Sequence, residues 1–101
     1  MDEFEWDLRK NSANIALHQV HFSKAAAIFQ NPVITCPDRR RDYGEQRFVS
    51  IGFDGDDCYV VVWTKRGANR RLISAWKGGR DERRAYRAVY PGRDPGDEPA
   101  R

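Results

Sequence analysis

The sequence has little of what metal and redox centres are built from. It holds 2 cysteines, Cys36 and Cys58, and 2 histidines. The cysteines lack zinc-site spacing and have no partner ligands beside them in the chain. They are expected to be buried thiols kept reduced. A glycine-rich phosphate loop and a Ser-His-Asp pattern are both missing, which removes P-loop and triad chemistries. No apolar run approaches the ~20 residues that a membrane-spanning helix needs. The opening MDEFEWDLRK is acidic and polar, unlike a signal peptide. These absences predict a cytoplasmic protein with no cofactor, no metal and no membrane contact.

What is present is a highly charged, folded chain. Of 101 residues, 40% are hydrophobic, 33% charged and 12% aromatic. That length fits one domain, placed at residues 1–90. The remainder, PGRDPGDEPAR at 91–101, is rich in proline and glycine and is expected to be disordered. The net charge of +3 is a modest bias toward anionic partners such as RNA, DNA or an acidic protein.

Periodicity divides the domain into elements. Phe4-Glu5-Trp6 alternates like a short strand. Asp7 suits a helix N-cap, with the helix running to His18 or Gln19. Ala13, Ala16, Leu17 and Val20 share a face at helical spacing, and Lys10, Asn14 and His18 form a polar stripe beside it. HFSKAAAIFQNP reads as a second helix with Ser23 as its N-cap and Asn31-Pro32 as its stop. VITC, 33–36, is a β-rich run, followed by the charged loop PDRRRDYGEQ. Strands are predicted over 48–53, 58–66 and 71–76, joined by hairpin turns, with a last helix over RDERRAYRAVY. The order implies an α+β fold with its helices packed on one side of the sheet: two N-terminal helices, an antiparallel meander, then a C-terminal helix.

The β-hairpin VVVWTKRGANRRLISAWK crowds Lys65, Arg66, Arg70 and Arg71 around its turn. With the turn centred on Ala68-Asn69, Arg66 faces Arg71 on one side of the sheet. Like charges directly opposite are destabilising. Two guanidinium forks converging on a phosphate would relieve the repulsion. Arginines at a hairpin tip also serve as ordinary surface charge. In this register Trp63 and Trp76 lie on the opposite face and are expected to be core or covering residues.

Other candidates carry two readings each. His18 suits proton transfer, and equally a helix-end cap or packing role. Glu45 and Arg47 could form an acid/base and phosphate-clamp pair, or a cross-strand ion pair. Arg39-Arg40-Arg41 could hold RNA backbone or form a solvated loop.

FEWD, the helix pattern Lys10, Asn14, His18, then VHFSKAAAIFQNP, GEQRFVSIG, the arginine hairpin and DERRAY follow one another in this order. Together they resemble the BrnT toxins of bacterial type II toxin–antitoxin systems, over roughly residues 4–87. Two departures stand out. Gln19 occupies a position where members usually have glycine, and Trp76 ends the last strand where they usually have arginine.

The resemblance implies a RelE-like fold and a ribonuclease that inhibits translation. It also implies a cognate BrnA-like antitoxin that neutralises the toxin and contacts operator DNA on behalf of the complex. Metal-independent RNA cleavage would use Arg66 and Arg71 as phosphate stabilisers, assisted by Arg47. Glu45 or His18 would be the base, and His18 or Lys10 the acid. Arg39, Arg40, Lys65, Arg70 and Lys77 would add substrate binding. A catalytically inert antitoxin binder and a ribosome-dependent nuclease are the alternatives.

Overall fold

The computed structural model describes residues 3–92. The chain runs β1 (Glu3–Glu5), α1 (Leu8–His18), α2 (Phe22–Ala25), a 3-10 segment (Ala26–Gln30), β2 (Ile34–Pro37), β3 (Arg47–Asp54), β4 (Asp57–Arg66), β5 (Asn69–Lys77) and α3 (Arg80–Val89). Every expected strand is present: β1 and β2 are shifted by one residue, and β3, β4 and β5 are longer than predicted by two, one and three residues. Most of the tail assigned to 91–101 lies outside the described residues.

The strands form one five-stranded sheet in the order β1-β5-β4-β3-β2. The meander β2 to β5 is antiparallel, as expected. β1 adds to β5 in parallel, however, so the sheet is mixed. A parallel neighbour needs a long crossover, and α1 through β4 provide it.

Strand alternation gives the sheet two different faces. Tyr59, Val61, Trp63, Leu72 and Ala75 point to one face and pack against Val20, Phe22, Ala25 and Ile28. Position 52, paired with Tyr59 on this face, is suited to glycine because a Cβ there would come within 2.9 Å of Val33. Phe53 and Cys58, paired across β3 and β4, point to the other face and pack with Tyr86 of α3. The helices therefore do not share one side: α2 and the 3-10 segment cover one face, α1 lies along the edge of β5, and α3 covers one end of the other face. The predicted one-sided packing fails because Tyr86 and Tyr90, four apart on α3, seek the Phe53 end of the second face, where their hydroxyls donate to Pro32 and Val33 carbonyls.

Helix α1 also buries a different stripe from the predicted one. Asp7 caps it, accepting from the Arg9 N–H. Ala13, Ala16 and Leu17 are exposed, with Leu17 at 76%. Asn14, from the supposed polar stripe, is buried against β5. The second helix breaks into one α-turn and a 3-10 segment. Its N-cap is His21, not Ser23, and the free Phe22 N–H donates to the Asn11 side chain at 2.9 Å. Cys58 is buried as expected, but Cys36 on β2 is exposed.

Candidate nucleic-acid interface

The β4–β5 turn is Gly67-Ala68, not Ala68-Asn69. Gly67 has φ +60°, which glycine adopts without steric cost and a tight hairpin turn requires. Arg66 therefore faces Asn69, Lys65 faces Arg70 and Thr64 faces Arg71. A bulge follows: Trp63 pairs with Leu72 but Val62 with Ser74, leaving Ile73 as the extra residue. These two departures place Arg66 and Arg71 on one face as diagonal neighbours. The bulge also turns Trp76 onto that face, opposite Val60, against the sequence expectation. Trp63 stays in the core.

The second face is thereby organised in rows across β3, β4 and β5. Ile51, Val60 and Trp76 form the row nearest α3. Val49, Val62 and Ser74 form the next, and Arg47, Thr64 and Arg71 the third. Arg66 and Asn69 close the hairpin end. An apolar floor thus runs into a basic rim.

The loop between β2 and β3 supplies the remaining wall. Asp38 anchors it: its N–H donates to the Arg47 carbonyl at 2.7 Å, and its carboxylate accepts two hydrogen bonds from Arg40, each 2.8 Å. The Arg40 backbone N–H adds a third at 3.2 Å and the Tyr43 hydroxyl a fourth at 3.1 Å. The Arg40 bonds are the main reason that the Asp38 carboxyl is held down to about 2. Tyr43 in turn lies between two guanidiniums, with Arg47 4.1 Å and Arg41 5.2 Å from its ring centre. Arg40 and Arg41 are thus tied down within this loop, while all three arginines of the segment remain exposed.

Two cavities open between this wall and the sheet. One, of about 350 Å³, is lined by Arg40, Arg41, Tyr43, Arg47, Ser74 and Trp76 among others. The second, of about 320 Å³, is lined by Arg39, Arg40, Val49, Ile51, Val60 and Trp76, with Cys36, Pro37, the ion-paired Asp38 and Glu82 of α3. A larger cavity of about 450 Å³ lies by β1 and α2. Its lining includes Glu3 and no cationic side chain, so it does not suit an anion.

Carboxylates hold the basic rim in place. Glu45 bridges Arg47 at 3.0 Å and Arg66 at 3.6 Å. Arg71 donates to Glu5 at 2.8 Å. Hydrogen bonds from Asn69 and Arg71 keep the Glu5 carboxyl below its ordinary value. The rim is thus pre-positioned rather than left to mutual repulsion.

Of the residues singled out from sequence, Arg39, Arg40, Arg47, Arg66, Arg71 and Glu45 belong to this face or its wall. His18 and Lys10 line a separate cavity of about 220 Å³ with Ile73 and Ser74, across the β5 edge. His18 reaches the groove only through Trp76, whose ring centre is 5.8 Å away. Lys65, Arg70 and Lys77 do not join them. Arg70 lies over Phe29 and Trp63 on the helix-covered face, and Lys65 pairs beside it. Lys77, opposite Tyr59, reaches Asp57 at 3.7 Å. Adjacent strand residues point to opposite faces, so a sequence cluster of cations divides in two. Sequence reasoning named Arg41 within its triple-arginine run and missed Tyr43 and Trp76 as parts of the groove. The interleaving of Arg with Tyr43 was the available signal; the bulge that turns Trp76 had none.

Among the described residues, no group of three His, Cys, Asp or Glu side chains is placed to hold a metal ion. Nor is any described helix long and apolar enough to cross a membrane.

An α+β domain with one sheet face left open, floored by apolar residues and ringed by fixed arginines, is suited to a polyanion. The family model described as "Ribonuclease toxin, BrnT, of type II toxin-antitoxin system" matches residues 6–82. The chain belongs to this family of toxins. Among solved structures it is similar to the crystal structure of the Brucella abortus ribonuclease toxin BrnT, with a TM-score of 0.63 and 21% identity. That likeness covers 79% of this chain and 100% of the Brucella chain, and it supports the α+β fold with its five-stranded sheet. No curated protein matches the chain.

Proposed function

We propose that this toxin cleaves single-stranded RNA without a metal ion, at the open face of its sheet. The observation that carries the reading is the row Arg47-Thr64-Arg71, with Arg66 beside it, on one solvent-facing surface. In the reaction the ribose 2′-oxygen bonds to the adjacent phosphorus and the bond to the 5′-oxygen breaks. The products are a 2′,3′-cyclic phosphate and a free 5′-hydroxyl. Arg66, Arg71 and Arg47 stabilise the added charge on the phosphorane oxygens. Glu45, held between Arg47 and Arg66, is the base that removes the 2′-proton. The candidates for the acid that protonates the leaving oxygen, His18 and Lys10, line the separate cavity across the β5 edge, so the groove itself does not assign this role. Arg39 and Arg40 guide the backbone.

In this reading the protein acts in the cytoplasm, has a RelE-like fold and inhibits translation. A BrnA-like antitoxin neutralises it and brings operator DNA to the complex. A second reading is favoured by one feature: Trp76 stands in the groove in place of the arginine usual in the family. On that reading the chain is an inert antitoxin-binding module that serves complex formation and operon control.

The test is incubation of the purified protein with end-labelled RNA in EDTA, beside the Arg66→Ala/Arg71→Ala double variant. Cleavage by the parent alone, leaving cyclic phosphate ends, is the expected result. A folded double variant of full activity would overturn the assignment. Cleavage only of messenger RNA on ribosomes would mark a ribosome-dependent nuclease. No cleavage in either setting would leave the inert binder.

A further inference from the structure

We infer that the cavity between Trp76 and β2 is a nucleobase subsite, in which Trp76 stacks on one unpaired base of a bound RNA strand. The inference rests on the reading of the basic face as an RNA site and names what that site holds beside the phosphates.

Three observations converge. First, the bulge at Ile73 turns Trp76 out of the covered core and onto the open face, where it is only half-buried. Its ring lines both cavities, so it stands at their junction. Second, the floor beside it is apolar: Val49, Ile51 and Val60. At about 320 Å³ the space falls within the range of small-molecule sites, roughly 300–1,000 Å³. Third, the opening is flanked by cations. Arg40 is fixed by Asp38, yet its side chain remains 62% exposed, and Arg39 lies next to it.

The chemistry that fits this combination is a planar, largely apolar ring attached to an anionic backbone. A nucleotide of single-stranded RNA has that form, and aromatic platforms inside basic grooves are how unpaired bases are held. A lone anion would leave the apolar floor unused. A purely apolar segment would make no use of the exposed guanidiniums of Arg39 and Arg40 at the opening.

Two aromatic side chains line these cavities, Tyr43 and Trp76. Tyr43 already has guanidiniums of Arg41 and Arg47 against its ring. It is occupied in positioning the wall. Trp76 contacts the His18 ring at 5.8 Å on the α1 side, which leaves its cavity side for a ligand.

Stacking of this kind tolerates all four bases, because each presents a π-face. The subsite therefore adds affinity for single strands over duplex, whose bases are already stacked. It also fixes the register of the strand in the groove, which phosphate contacts alone would not do.

The experiment compares two 2′-O-methyl hexanucleotides, which cannot be cleaved: one carrying uracil throughout, the other abasic with the same backbone. Affinity and tryptophan fluorescence are measured for the parent, Trp76→Ala and Trp76→Phe. The parent is expected to favour the base-bearing strand by roughly ten-fold, the scale of one stacked base. Trp76→Ala should bind both strands alike, near the parent's affinity for the abasic one. Trp76→Phe should keep most of the preference yet lose the quenching that the base-bearing strand causes in the parent. The subsite is overturned if the parent binds both strands equally, or if Trp76→Ala keeps the full preference. Either outcome leaves the phosphate-binding rim intact as a reading. Failure of the parent to bind either strand overturns the subsite and the RNA reading together.

Discussion

The Asn14 carboxamide completes the backbone hydrogen bonding of Ala75. Its amide donates to the Ala75 carbonyl at 2.8 Å, and its oxygen accepts from the Ala75 N–H at 3.0 Å. β1 pairs with β5 only as far as Arg71, so the edge beyond it is open. A side chain from α1 takes the place of the next strand residue. The same amide also donates to the Val20 carbonyl at 2.9 Å, tying the α1–α2 connection to the sheet. The strand end that carries Trp76 is thus fixed from the first helix.

That role requires a group that donates and accepts at once. Asn14→Asp and Asn14→Leu should each destabilise the fold by about 2–4 kcal/mol, since buried backbone groups are left unpaired. Urea unfolding checks this. A loss below about 1 kcal/mol would mean that the edge finds other partners.

Gln19, at the C-cap of α1, has φ 60° and ψ 32°, in the left-handed region. A side chain there is strained, and glycine is not. Gln19→Gly is expected to stabilise the protein by about 0.5–1 kcal/mol, seen as a higher Tm. A lower Tm would show that the Gln19 side chain makes contacts worth more than the strain.

Asp38 gives the wall a pH dependence. Its folded carboxyl sits at about 2, lowered from 3.8, chiefly by the Arg40 hydrogen bonds. A lowered pKa means that the stabilisation is complete above the unfolded value, near 4, and is lost as pH falls toward 2. The stability gap between the parent and Asp38→Asn should therefore be constant at neutral pH and shrink below about pH 4. Parallel acid titrations of unfolding measure it. A gap that persists unchanged to pH 2 would remove the ion pair as its cause.

The two faces make a prediction about charge. Lys65→Ala/Lys77→Ala removes two cations from the helix-covered face and should leave the salt dependence of RNA binding unchanged. Arg41→Ala/Arg47→Ala removes two from the groove. It should weaken binding and lower the salt slope by about 0.7 for each phosphate no longer neutralised. Binding isotherms at several salt concentrations decide it. Equal effects of the two pairs would mean that RNA does not discriminate between the faces.

Much of the fold was legible because its signals are local. Asp7 had the chemistry of an N-cap, the valine-rich stretch of β4 the composition of a buried strand, and Gly67 and Gly55 the conformational freedom of hairpin turns. What misled was the inside of α1. A stripe of Ala and Leu reads as core, yet Asn14 is the buried residue, because the open edge of β5 needs a hydrogen-bonding partner more than it needs apolar area.

The site divides in the same way. Residue types and order alone determined that this chain carries a hairpin rich in arginine, a basic loop and the motif sequence of a BrnT toxin. Only the tertiary structure decided which cations act together. A one-residue shift of the turn and one extra residue at Ile73 reassign side chains between faces, because strand direction alternates with every residue. By that geometry Lys77 leaves the groove and Trp76 enters it.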